Sequence, residues 1–531
     1  MTMLRASDAA LSGPALRSSS RLMCTTTDPE YPVVDYFSVA AEGNAGIEFG
    51  DYGTIQSNAK TGRKYVDVKD LGTENGPNEG ETVWIRGRIN SVRAKGNSCF
   101  VVIRSGSFYT IQALHFKDKE NADVSKSMIK YIGNIQLESI VDVCGVVANA
   151  NVKSCSQNNV ELQIRKMFVV SRAPTVLPFL YEDACRSQDE IDASQSEERP
   201  FASVSQDARL NARWLDLRTP ANAAIMRIRG GIAGLFRESL SSQGFMEINT
   251  PKLIGGESEG GANAFKFDYF GREGCLAQSP QLYKQMAIAS DMGRVFEVGP
   301  VFRAENSNTR RHLCEFTGLD FEMAINEHYD EALQVCHTMF KHIFNGLEEQ
   351  YSKEIEVIRA QYPSSPLTFT DEPCIIHWHD GIKMLNDAGH DADVMDDLSG
   401  AHELALGAIV KEKYGTDFFM LDKYPSGIRP FYTMACPEDE NFSNSYDMFI
   451  RGQEICSGAQ RCHDVAMLER NIASKGMGLE ALQSYVDSFR HGCPPHAGAG
   501  IGLDRVVFLY LGLDNVRKAS MFPRDPSRIT P

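Results

Sequence analysis

Cysteine pairing is what this 531-residue chain most clearly lacks. It has 13 cysteines, an odd and scattered set, and no C-x-x-C pair occurs. That excludes a zinc ribbon and a disulfide framework, and it fits a reducing compartment, with the cytoplasm as the expected location. Long apolar runs are missing too: no stretch approaches the ~18 apolar residues needed to span a membrane. Excess positive charge is also absent, with 54 Lys and Arg against 70 Asp and Glu, a formal net charge of -16. A uniformly basic nucleic-acid coat is therefore excluded, and any RNA contact must come from local patches. What remains is 42% hydrophobic and 23% charged. This is ordinary globular material, long enough for two or more domains.

The patterning divides the chain into four segments. Residues 1–78 read as an N-terminal extension, largely flexible. Its first 28 residues are rich in Ser, Thr and Ala and carry Arg5, Arg17 and Arg21. That composition suits an organellar transit segment or a disordered tail. Residues 79–180 hold five short strand-like runs, TVWIRGRI, SCFVVIR, YTIQALHF, SIVDVCGVV and VELQIRKMFVV, with a helix over Ser125–Ile132 after the third. Five strands with one helix in that place predict an OB-fold, a barrel that often binds oligonucleotides. Its aromatics and cations suit base stacking and phosphate contact, or equally a core and a solvated rim. Residues 181–215 are acidic and Ser/Gln-rich and read as a hinge. Residues 216–531 carry the remaining motifs.

Four stretches of that last segment bear chemistry. Thr219–Pro220 opens a helix with apolar residues at helical spacing, Gly244 stops it, and a strand GFMEINTP follows. Val295–Glu305 and Leu313–Met323 read as an antiparallel hairpin around the polar loop Asn306–His312. Alternation puts Phe316, Gly318, Asp320 and Glu322 on one face and Leu313, Leu319 and Phe321 on the other. A ring, a gap and two carboxylates suit a binding floor better than a core. In GQEICSGAQR, Glu454 sits among apolar residues and needs a cation partner, because a buried carboxylate is costly. In PPHAGAGIGLDR, Gly498, Gly500 and Gly502 alternate ahead of Arg505 at a helix start, where phosphate is favoured. Two further stretches are weaker. ESEGGANAF reads as a mobile loop, and HWHD is a poor metal cluster because no further ligand accompanies it.

GFMEINTP, FRAE with its RHLCEF return strand, and GIGLDR stand in the order of motifs 1, 2 and 3 of class II aminoacyl-tRNA synthetases, which this chain resembles. QSPQxxK and SGAQR resemble the aspartyl-tRNA synthetases of the eukaryotic and archaeal kind. The resemblance spans about Gly80 to Pro531. It implies an α+β architecture: an N-terminal OB-fold β-barrel that reads the anticodon, then a catalytic domain of antiparallel sheet flanked by helices. It also implies a homodimer through the motif 1 region, and ATP, L-aspartate and tRNA(Asp) as partners, with no membrane.

The resemblance further implies roles for particular residues. Catalysis falls to Arg303, Arg505 and Glu454. Arg303 holds the α-phosphate and the amino acid carboxylate. Phe316 stacks on adenine against Arg505. Glu305, Arg311, His312 and Gly502 complete the ATP site, and Glu454, with Ser457, holds Mg²⁺ beside the phosphates. Aspartate is bound by Lys284 and Arg461 at its side-chain carboxylate and by Ser279, Gln281, Asp320 and Glu259 at its ammonium, with Arg303 and Ser457 nearby. A pair of fixed cations is what an acidic side chain requires, and a lysine-activating relative should carry acids in their place. Arg93, Phe100, Gln112 and Glu161 resemble anticodon-reading positions. Two alternatives stand beside this reading: an asparaginyl-tRNA synthetase or tRNA-independent ligase, and a catalytically silent nucleic-acid binding protein. Lys284 with Arg461 speaks against the first, and Arg303, Glu454 and Arg505 against the second.

Overall fold

The computed structural model describes residues 33–36, 47–57, 60–120, 122–256 and 264–531. The chain divides after Val176 into two units. In the first, alternating burial builds five long strands: β1 (Thr82–Lys95), β2 (Ser98–Ser105), β3 (Tyr109–Phe116), β4 (Ile140–Asn149) and β5 (Val160–Ser171). They pair in the cyclic order β4-β1-β2-β3-β5-β4, which closes an OB-fold barrel. Helix α1 (Ala122–Gly133) lies between β3 and β4 and buries Met128, Ile129, Tyr131 and Ile132 against the barrel core. Two segments of the N-terminal extension join this unit. Phe49–Tyr52 pairs in parallel with β5, and Val68 and Leu71 enter the barrel core. The Arg-bearing segment at the extreme N-terminus lies outside the described residues.

The second unit begins with short helices rather than extended chain. Ser187 and Glu190 form a reciprocal capping box on Gln188–Ala193. Helix α2 (Pro220–Ser242) follows, with Pro220 at its first turn. Gly244 ends the run in the left-handed region at φ +81°, a conformation that costs glycine nothing. The central sheet has eight strands: β6 (Met246–Glu247), β7 (Arg294–Phe302), β8 (Glu315–Ala324), β9 (Ile375–His377), β10 (Phe418–Asp422), β11 (Ser445–Ile450), β12 (Gln453–Gln460) and β13 (His496–Gly502). Their order is β9-β10-β11-β12-β13-β8-β7-β6, antiparallel through the middle and parallel at both edges. Helix α2 and α3 (Asp330–Gln350) cover it with apolar faces.

The β7–β8 hairpin differs in detail from its expected form. The strands end at Phe302 and begin again at Glu315. Arg303 and Glu305 therefore lie in the connecting loop, where alternation no longer fixes their direction. Leu313, Leu319 and Phe321 are buried as expected, and Glu322 is buried as well. In HWHD, His377 pairs with Asp422 at 2.6 Å, and no group of three or more His, Cys, Asp or Glu side chains placed to hold a metal occurs among the described residues.

Candidate active site

Sheet register assembles the site. A row of directly opposed residues crosses the strands as Asp447, Ser457, Gly500 and Asp320. The neighbouring row on β13 and β8 is Gly502 and Gly318. Apart from Asp447, these residues floor a cavity of about 300 Å³. Its wall carries Arg303, Glu305, Arg311, His312 and Phe316 from the hairpin, and Ser279 and Gln281 from the start of the helix Gln281–Ala289. Glu454, Ser457 and Arg461 from β12 and its end, and Arg505 from the helix Leu503–Tyr510, complete it. Residues spread over more than 220 positions thus meet in one cleft.

The alternating glycines serve two purposes. A Cβ at Gly500 would stand 3.0 Å from Asp320 Oδ1. At Gly498 it would stand 2.2 Å from the Phe321 carbonyl and 2.5 Å from Glu322 Oε2, so that glycine is demanded by packing. A bulge between β11 and β12 explains the next placement. Glu454 and Ser457 are three apart and would face opposite ways in a regular strand. The extra residue re-aims the chain, so both line the cavity.

Two charge clusters occupy the ends of the cleft. At one end, Arg461 donates to Glu322 at 2.9 and 3.2 Å, and Lys284 donates to Asp320 at 3.1 Å and lies 3.4 Å from Glu322. All four are buried. Burial raises the Glu322 carboxyl, but Arg461 and Lys284 outweigh it and hold it below its ordinary value. Arg461 and Asp320 are on the cavity wall, whereas Lys284 lies one layer behind Asp320, also donating to the Ala499 carbonyl at 3.1 Å. Behind Gln281, Gln285 accepts from Gln281 and from the Tyr485 hydroxyl and faces His496 Nε2 at 2.9 Å. His496 Nδ1 stands 2.8 Å from the Pro494 carbonyl, and burial lowers its pKa, so the neutral ring donates there.

At the other end, Glu454 has carboxylate neighbours. Burial and then Asp447 raise its pKa, with Glu403 adding to the effect and Arg505 opposing it. Arg505 Nη1 lies 3.6 Å from Glu454 Oε2 and donates to the Glu454 carbonyl at 3.2 Å. Arg429 forks onto Asp447 at 3.0 and 2.8 Å, donates to Ser457 Oγ at 3.1 Å and stacks on Tyr424. Arg311 donates to Glu403 at 2.8 Å. A crowded carboxylate at the mouth of a cationic cleft fits a divalent ion, since such ions take one or two carboxylates plus substrate phosphates. Burial and then Arg505 lower the His312 pKa, so its ring is neutral at pH 7.

Asp447, Glu403 and Arg429 escape a reading of the motifs alone, and Glu322, expected on the binding floor, is buried behind it. The usable signal was Asp447 inside SYDMFI, a strand buried at every position. The cost argument made for Glu454 applies to it equally. Glu259 falls in 257–263, outside the described residues. Arg93, Phe100, Gln112 and Glu161 belong to the first unit, on the barrel. There Gln112 donates to Glu161 at 2.9 Å, and Arg93 is directly opposite Phe100.

Comparison with known proteins agrees with this geometry. Residues 205–526 match the family model "tRNA synthetases class II (D, K and N)", and residues 83–170 match "OB-fold nucleic acid binding domain". The human "Aspartate--tRNA ligase, cytoplasmic" is 49% identical over 93% of this chain and 96% of its own length. Its Caenorhabditis elegans namesake is 48% identical over 91% and 90%. The solved aspartyl-tRNA synthetase of Entamoeba histolytica superposes with a TM-score of 0.83 at 42% identity, covering 94% of this chain and 98% of that one. The asparaginyl-tRNA synthetase of Pyrococcus horikoshii follows at 0.71 and 29%, covering 85% and 97%. With a family model spanning more than half its length, and an OB-fold ahead of it, the chain belongs to the class II tRNA synthetases of the D, K and N group.

Proposed function

We propose that the chain is an aspartate–tRNA ligase, which joins L-aspartate to ATP as aspartyl-adenylate, releases pyrophosphate, and transfers aspartate to the 3' end of tRNA(Asp). The observation that carries this is the buried quartet of Arg461, Lys284, Glu322 and Asp320 beside a cleft lined by Arg303 and Arg505. Such a site acts by position and charge. Fixed cations hold the reacting carboxylate and α-phosphate in line, and preorganised donors offset the charge that develops. Arg303 faces both groups. Phe316 and Arg505 hold the adenine ring, with Glu305, Arg311, His312 and Gly502 around the nucleotide.

Arg461 meets the substrate side chain directly. Lys284 fixes Asp320 and Glu322 from behind and adds positive potential to that end of the pocket. Ser279, Gln281 and Asp320 receive the ammonium, with Glu259 from the adjoining loop. Glu454 and Ser457, both on the cavity lining, would hold the divalent ion that accompanies ATP, here Mg²⁺, and bound there it would offset phosphate charge. The barrel reads the anticodon through Arg93, Phe100, Gln112 and Glu161. Two copies associate through the motif 1 region, where Met246 and Leu253 are exposed. The relatives' location suggests a cytoplasmic enzyme, and the Arg-bearing N-terminus suits an additional organellar form. Among the described residues no helix is long and apolar enough to cross a membrane. Charging of purified tRNA(Asp) and tRNA(Asn) with labelled aspartate tests the assignment. Transfer to tRNA(Asp) is expected, and failure on both would refute it.

A further inference from the structure

Phe116 stands on the outer face of the barrel, apart from the four positions assigned to the anticodon. Register places side chains on that face in rows. Arg93, Phe100 and Leu114 form one row, and Lys95, Ser98 and Phe116 form the next. Gln112 lies on the same face of β3, two residues before Leu114. Gln163 is paired with Leu114 from β5, and Arg165 follows it by two. The opposite face carries Cys99, Val101, Ile103, Ile111 and Ala113, all fully buried, so the core is complete without Phe116. Phe116 instead is 57% exposed, beside Phe100 at 37%. Their ring centroids are 6.0 Å apart with an interplanar angle of 88°.

We propose that Phe116 is a second base-stacking residue, forming with Phe100 a two-ring platform for neighbouring unpaired bases of the tRNA anticodon loop. This rests on the reading of that face as the anticodon contact. Single-stranded nucleic acid is held by exposed aromatics beside cations that track the backbone, and Lys95 and Arg93 stand in the same rows as the two rings. Perpendicular rings cannot support bases stacked on one another. They suit bases splayed apart, the form in which loops are recognised. The chain as a whole is acidic, so cations beside exposed rings are a local provision and not the general surface.

The test uses the full-length protein with Phe116→Ala, Phe116→Tyr and Phe100→Ala. The readouts are charging of tRNA(Asp) and tRNA-independent, aspartate-dependent ATP–pyrophosphate exchange. A fluorescence arm uses a tRNA(Asp) transcript carrying 2-aminopurine in the anticodon loop, whose emission reports stacking. Phe116→Ala should raise the KM for tRNA about tenfold, the scale of one lost stacked base. The charging kcat and the exchange reaction should be unchanged, Phe116→Tyr should restore the KM, and quenching of 2-aminopurine should weaken. If Phe100→Ala raises the KM and Phe116→Ala does not, the proposal is wrong and the anticodon reading stands. If neither changes it, both fall.

Discussion

Arg461 and Glu322 face each other as a two-toothed pair, Nε to Oε1 at 2.9 Å and Nη2 to Oε2 at 3.2 Å, with both side chains sealed from solvent. Glu322 is thus the counter-ion that fixes Arg461, the cation proposed to meet the substrate side chain. Removing one partner of a buried pair leaves the other uncompensated, at a cost of about 3–5 kcal/mol. Glu322→Gln should lower the unfolding free energy by about that much, read as a lower denaturant midpoint, and it should weaken aspartate binding by letting Arg461 swing. Equilibrium unfolding and an aspartate titration measure the two effects.

The same pair sets a pH dependence. Arg461 and Lys284 hold the Glu322 carboxyl below its ordinary 4.5 against the opposing effect of burial. A carboxyl depressed by folding contributes stability that is fully present above its unfolded value and is lost as pH falls through the folded one. The loss therefore belongs below pH 4.5 and not near neutrality. Thermal unfolding of the parent should steepen with acid in that range, while Glu322→Gln should show a shallower decline.

Arg303→Ala should abolish aspartate-dependent ATP–pyrophosphate exchange, by 100-fold or more, on the scale of losing one preorganised charge-stabilising donor. The fold should survive, because Arg303 sits in the hairpin loop beyond Phe302 and is partly exposed. Exchange kinetics with a circular dichroism control check both parts.

Phe316, Gly318 and Asp320 were placed correctly by a period of two, because strand alternation is local. Glu322 continues that period, yet it is buried, since its environment is decided by Arg461 and Lys284, 139 and 38 positions away. Glu454 and Ser457 share the cavity only through a bulge, which no alternation rule anticipates. Arg429, Asp447 and Glu403 come from segments whose local pattern reads as ordinary helix and strand. Their meeting is a property of sheet order. The hairpin strands were read too long because Arg303 and Glu305 sit beside apolar neighbours.

Arg517 governs the loop that carries Arg310 and Arg311. It is buried, donates to Asn308 Oδ1 at 2.7 Å and the Thr309 carbonyl at 2.9 Å, and is held by Asp525 at 2.7 Å. Arg517→Met should loosen the loop. Tryptic cleavage at Arg310 and Arg311 should speed up, and the KM for ATP should rise more than that for aspartate.

The proposed selection of an acidic amino acid rests on a buried cation pair, Arg461 in the wall and Lys284 behind it. The most direct measurement is the KM for aspartate and for ATP in pyrophosphate exchange by Lys284→Ala, with asparagine and lysine as competing substrates for the parent. Exchange with aspartate alone is expected in the parent, and in the variant a far larger rise in the aspartate KM than in the ATP KM. Equal rises in both, or exchange supported by asparagine in the parent, would contradict it.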